Sequence, residues 1–433
     1  MAQFIHADEA HAEALRLTRH WLAQVAADVE LLLITDLFGK FRLVVFPQGD
    51  LQTVSEQLAQ ACGPWWTGEV LQAEQLDSVS GRMFEQVRQS ARRDAEEPRL
   101  KLVERHRSRT AWFAEPQQPP WRAPEDGPPI VVFYSFKGGF GRSTLLASFA
   151  IQRARAGERV CVLDFDLDSP GIGSLLSADV EGRTAPWGVV DFLLEHRLPD
   201  LPFDDYWHRC DRVSGRGEIR VMPAGQLDTV FADKLGRVDL EESPAAHASG
   251  LWRLLERTRT EWQPDWILFD ARTGISEPAG QLLSGFAHLH VLLGSVQEQS
   301  WLGLDRVLER LGRDRVLADQ PQAEVLLVQA MVPVGEQPAR WARERFAARA
   351  EQTFEERYYA SVEEGDSDER TDRFWNLDDQ QSQDAPHQPW PIDYDPRLAS
   401  FGDIAEVADA LCSGAHAVIG EQICSRFVAE EDA

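Results

Sequence analysis

The chain has 433 residues, of which 43% are hydrophobic and 27% charged, enough for two or three domains with sizeable cores rather than one small fold. Lys and Arg number 44 against 71 Asp and Glu, a formal charge of −27. Such a surplus repels phosphate backbones and anionic lipid at long range, which argues against direct nucleic-acid or membrane binding. No apolar run reaches bilayer-spanning length. The stretch Met1–Trp21 carries acids early and lacks a signal-peptide core, so a cytoplasmic protein is expected.

Residues 1–112 read as a small α+β domain. Helical periodicity over 7–27 precedes two β-rich runs joined at Phe38-Gly39-Lys40, a predicted hairpin. Helices are predicted near 51–61 and 82–96. Pro64-Trp65-Trp66 reads as buried aromatics rather than a recognition patch. The one clear basic cluster, Arg105–Arg109, reads as a solvated helix end or linker. No catalytic spacing occurs here, so the domain is expected to meet a partner protein. Residues 113–129 include the proline-dense EPQQPPWRAPEDGPP and are predicted to be a linker.

From residue 130 to 433 strands and helices alternate. Apolar strands are predicted at 130–135, 159–166, 218–225, 266–271, 290–296 and 324–332, with helices at 143–156, 249–262 and 301–312. Continuously apolar strands separated by helices predict an α/β domain, doubly wound around a mostly parallel sheet covered on both faces. Ligands on such sheets bind beyond the carboxyl ends of the strands. The polar, acidic stretch 363–388 is expected to be a mobile or partner-ordered insertion. Over 402–428, Ile404, Val407, Leu411, Ile419, Ile423 and Phe427 fall on one face of a predicted C-terminal helix packed on the domain. The five cysteines form no CxxC pair, and His288 and His290 share one strand face, where a structural role is expected.

Between the first strand of this domain and its helix lies Lys137-Gly138-Gly139-Phe140-Gly141-Arg142-Ser143-Thr144. Glycines let backbone N–H groups converge on phosphate oxygens, and the following helix turns its N-terminus toward the same anion. Ser143 takes the place of a Mg²⁺-binding hydroxyl, and Thr144 is placed to touch the α-phosphate. A strict phosphate loop has glycine five residues before Gly141, where this chain has Phe136.

With a lysine opening the loop, the sequence resembles the deviant-Walker P-loop ATPases related to ParA and MinD, over roughly 130–400. It looks closest to the bacterial regulatory subgroup written KGGVGR, whose second basic residue is arginine, as in Lys137 and Arg142. CVLDFDLDSPGIGSLL resembles the first switch segment, which implies Asp164 near the metal and Asp166 orienting the attacking water. PDWILFDARTGISE resembles Walker B and the second switch, which implies Asp270 on a Mg²⁺-bound water and Gly274 at the γ-phosphate. Arg272 is either a charge stabiliser or a salt-bridge partner. For the base, the resemblance implies Gln329, in place of the family's asparagine, and Asp395 in PWPIDYDPRLAS.

The resemblance further implies ATP and Mg²⁺ as cofactors and a homodimer in which Lys137 reaches the partner's phosphates. A lysine suits that reach as a compact charge on a flexible stem. Arg142 would neutralise β- and γ-oxygens, at some cost in turnover. The expected function is a slow, Mg²⁺-dependent ATPase switch, read out to a partner protein by the N-terminal domain or the acidic insertion, in a bacterial regulatory or defence setting. The alternative is a nucleotide-binding adaptor with little hydrolysis.

Overall fold

A computed structural model of the chain describes residues 5–106, 108–240, 249–360, 374–382 and 384–427. The chain forms two compact units, Met1–Ser108 and Arg109–Ala433.

In the first unit, β1 (Glu30–Thr35) and β2 (Phe41–Phe46) form the expected antiparallel hairpin. With β3 (Trp66–Gln72), β4 (Arg92–Arg93) and β5 (Leu100–Glu104) they make a sheet ordered β3-β2-β1-β5-β4. Side chains alternate across it. Leu31, Leu33, Leu43 and Val45 pack against the helices Ala7–Leu22 and Gln52–Cys62, and Leu32, Ile34 and Val44 against Phe84 and Val87 of the helix Ser78–Ser90. That last helix starts earlier than the 82–96 expected, because the Asp77 carboxylate accepts from the N–H groups of Val79 and Ser80 and caps it there. Trp66 is buried, and the Trp65 indole donates to the carbonyl of Ile5.

The second unit holds an eight-stranded sheet ordered β13-β12-β11-β6-β10-β7-β9-β8. Its strands are β6 (Ile130–Ser135), β7 (Arg159–Phe165), β8 (His208–Arg209), β9 (Glu218–Met222), β10 (Trp266–Ala271), β11 (Leu289–Gly294), β12 (Val325–Val332) and β13 (Trp390–Asp393). All pairings are parallel except that of the edge strand β8. The chain winds outward from β6 through β7 and β9, returns as β10, then continues on the far side of β6, so the sheet is doubly wound. Ile130, Val132 and Tyr134 face one core, and Val131 and Phe133 the other.

Three expectations are revised. The proline-rich segment 113–129 is bonded into the second unit: Gln117 N–H donates to Ser284 O, and Trp121 O accepts from His288. The single C-terminal helix is two, Ile404–Leu411 and Gly414–Ser425, broken where Gly414 takes a φ of +55°. Both pack on the helix Arg142–Arg155, where Ser148 donates to Leu411 O and Gln152 to His416 O. Of the acidic stretch 363–388, residues 363–373 and 383 lie outside the described residues. From Phe374 onward the described part is packed: Trp375 bonds Gln322 and Glu324, and Asn376 caps the short helix Leu377–Gln381.

Candidate functional site

The glycine loop lies at the carboxyl end of β6, where the winding direction reverses. Gly139 and Gly141 have φ of +86° and +77°, left-handed values that favour glycine. A Cβ at Gly138, Gly139 or Gly141 would meet nothing within 4 Å, so the loop encloses an open cradle. The loop is anchored at both ends. Phe136 is pressed against Gly303, where a Cβ would come within 1.8 Å of the Phe136 ring, and Phe140 packs partly into the core. Lys137 between them is exposed, and no ion pair engages its ammonium among the described residues.

Beside the cradle is a buried charge cluster. Register places Asp270 opposite Asp164, the two strands carrying them side by side. Arg142 does not extend into the loop. Its Nε donates to Asp270 Oδ1 at 2.5 Å and its Nη2 to Asp166 Oδ2 at 2.9 Å. Only 8% of Arg142 is exposed, and its Nη1 has no partner. The guanidinium expected to serve β- and γ-oxygens is here engaged by two carboxylates. Ser143 Oγ donates to Asp270 Oδ2 at 2.6 Å. Arg272 is a salt-bridge partner: Nη1 donates to Asp166 Oδ1 at 3.0 Å and Nε lies 2.9 Å from Asp168 Oδ2. One guanidinium thereby ties the segment after β7 to the segment after β10.

Asp164 faces its own loop. It accepts from the N–H groups of Asp166, Gly171 and Gly173 at 3.1–3.3 Å. Burial, and then the charge of Asp270, push its carboxyl well above the usual carboxylate range. Burial also raises Asp270, against the pull of Arg142. Asp270 is paired with Arg142, whereas no cation pairs with Asp164 among the described residues. Gly274 takes a φ of +69°, and its carbonyl accepts from the Tyr134 hydroxyl at 3.1 Å.

Two base candidates lie to the side. Gln329 is buried on β12, level with the end of β11; its Nε2 donates to Ala342 O at 3.0 Å and its Oε1 has no partner. Asp395 caps the helix Pro396–Ala399, and the Arg397 guanidinium holds its carboxyl below the ordinary value. Thus Arg142 and Asp270 link Ser143 and Asp166 into one bonded cluster, whereas Lys137, Gln329 and Asp395 share no bond with them among the described residues. Sequence reasoning offered Arg272 as a salt-bridge partner without naming Asp166 and Asp168, and it missed the Tyr134–Gly274 bond, because partners more than a hundred residues apart leave no local pattern.

The donor set suits Mg²⁺ in part. No group of three or more His, Cys, Asp or Glu side chains among the described residues is arranged to hold a metal. Mg²⁺ at nucleotide sites takes only one or two protein oxygens and keeps waters and phosphates. The Ser143 hydroxyl and Asp270 carboxylate, in contact, fit that demand; Asp164, turned to backbone N–H groups, does not.

No protein-family model matches the chain. A stretch of 99 residues, 23% of the chain, is 32% identical to the cytosolic Fe-S cluster assembly factor CFD1 of Chaetomium globosum. The same extent and identity relate it to cfd1 of Neurospora crassa, and the match spans 28% of either relative's length. Among solved structures, the cell division ATPase MinD of Pyrococcus furiosus is 17% identical with a TM-score of 0.40, over 69% of this chain and 98% of that one. A ParA family ATPase from Chlorobium tepidum is 14% identical with a TM-score of 0.43, over 68% and 97%. By its doubly wound sheet, the lysine-first glycine loop at the reversal point and the aspartate on the adjacent strand end, the second unit resembles the deviant-Walker, ParA/MinD-like P-loop ATPases.

Proposed function

We propose that the second unit binds ATP with Mg²⁺ at the loop Lys137–Thr144 and acts as a slowly hydrolysing dimeric switch. The observation that carries this is the pairing of Ser143 Oγ with Asp270 Oδ2, 2.6 Å apart at the foot of an open glycine cradle. Backbone N–H groups of Gly138–Ser143 would receive the phosphates, and Ser143 and Asp270 would hold the metal. Held there, the metal would supply charge neutralisation to the phosphate oxygens. Asp166 would orient the attacking water, Gly274 would offer its N–H to the γ-phosphate, and Gln329 Oε1, a buried acceptor in want of a donor, would take the adenine amino group. Lys137, exposed and without an ion pair among the described residues, would reach the triphosphate of a second copy and offset repulsion between two nucleotides. The N-terminal unit or the segment 363–388 would report the state to a partner protein.

The ion pairs of Arg142 favour a second reading, an adaptor that binds nucleotide and barely hydrolyses it. While Arg142 holds Asp166 and Asp270, neither carboxylate is free for chemistry.

The test is solution mass of the wild type and Lys137→Ala with ATP, ADP and no nucleotide, with phosphate release followed in parallel. Doubling of mass only with ATP and Mg²⁺, abolished in Lys137→Ala, is expected. A wild type that stays monomeric with ATP defeats the switch. Doubling without measurable phosphate release selects the adaptor.

A further inference from the structure

The loop Arg272–Ile275 runs directly into the short helix Glu277–Leu282, capped by the Ser276 hydroxyl. A helix of six residues has little stability of its own. It is held instead by the segment Thr110–Gln117. At its start, Glu277 Oε1 accepts from Thr110 Oγ1 at 3.0 Å and from the N–H of Ala111 at 2.9 Å. The Trp112 indole donates to Ser276 O at 2.6 Å, and its ring lies so close to Gly280 that a Cβ there would come within 2.5 Å of it. At its end, Ser284 O accepts from the N–H of Gln117 at 2.8 Å.

Two buried arginines close the arrangement. Arg310 donates to Ala111 O, Trp112 O and Leu283 O, and Arg315 to Gln117 O and Ser284 O. They are 8% and 2% exposed, and neither has a carboxylate within ion-pair distance among the described residues. Peeling the segment away would strip a buried guanidinium of its acceptors, which is costly. A shift of Ser276 by 1 Å or so would break the indole bond unless Trp112 moved too. The segment therefore follows the helix rather than detaching from it.

We propose that this clasp is a relay: the loop Arg272–Ile275, the helix behind it and the segment Thr110–Gln117 move as one body, so a displacement at Gly274 is delivered to the chain just after Ser108. The inference rests on the nucleotide reading above, and its test separates the two.

Hydrogen exchange is followed by mass spectrometry on the full chain, apo and with a nonhydrolysable ATP analogue plus Mg²⁺. In the wild type, peptides over 138–146 and 270–276 respond, and those over 110–117 respond with them. In Trp112→Phe and Glu277→Gln, the response at 138–146 remains and that at 110–117 is lost. A wild type in which 270–276 responds and 110–117 does not overturns the relay. So does a clasp variant that keeps the full response. If 138–146 is silent, the nucleotide reading fails and the apo arm decides: Glu277→Gln should speed exchange at 271–276 by roughly fivefold, and an unchanged rate overturns the relay on its own.

Discussion

Arg142 Nε stands 2.5 Å from Asp270 Oδ1, both side chains buried beneath the loop that the arginine was expected to serve. A cation in the loop and the carboxylate that would hold a metal are thus paired with each other. Metal binding has to compete with a guanidinium already in place.

The variant Arg142→Ala separates the two roles. Removing one partner of a buried pair strands the other charge: Asp166 would keep Arg272, but Asp270 would keep only the Ser143 hydroxyl, at a cost of about 3 kcal/mol. Denaturant unfolding without nucleotide should show that loss. Mg²⁺ titrations of ATP binding should show the half-saturating metal concentration falling, because the competitor is gone. A rise instead would mean that Arg142 chiefly serves the phosphates.

Gln329 offers a buried Oε1 with no donor. Gln329→Leu should narrow the preference for ATP over GTP by roughly tenfold, the effect of one buried hydrogen bond, as read in competition binding. An undiminished preference would place the base elsewhere.

Gly303→Ala tests the anchor of the loop. The added methyl would fall 1.8 Å from the Phe136 ring, so the ring has to move. Overpacking of this kind costs about 1–3 kcal/mol. Nucleotide affinity should fall with stability, since Lys137 follows Phe136. A variant of wild-type stability and affinity would show that the contact is slack.

His290 supplies a pH dependence. Burial pushes its imidazole down to about 4 from an ordinary value near 6.5. The folded state thus refuses a proton that the unfolded chain accepts. Its contribution is complete above about pH 6.5 and is lost as pH falls toward 4. Over that window the wild type should lose roughly 3 kcal/mol more than His290→Gln. Parallel stability curves would refute the assignment.

The long apolar strands were legible because a parallel sheet buried on both faces writes itself as continuous Val, Ile, Leu and Phe, as in β6 and β10. The hairpin and the glycine loop were legible from local chemistry. What escaped depended on distance. β13 is absent from the predicted strands because Trp390-Pro391 gives no strand pattern alone; pairing with β12 and packing of Trp390 and Ile392 on the core hold it. The placement of Arg142 was missed because nothing at residues 137–144 tells which way a side chain at the head of a helix will turn. The carboxylates that decide it lie 24 and 128 positions away.

Arg310 and Arg315 carry one more consequence. A truncated protein beginning at Ile130 would retain every strand of the large sheet yet expose two cations deprived of the carbonyls of Ala111, Trp112 and Gln117. The proline-rich stretch therefore folds as part of the second unit and is no mere tether. A protease cut that spares the large unit belongs before Thr110.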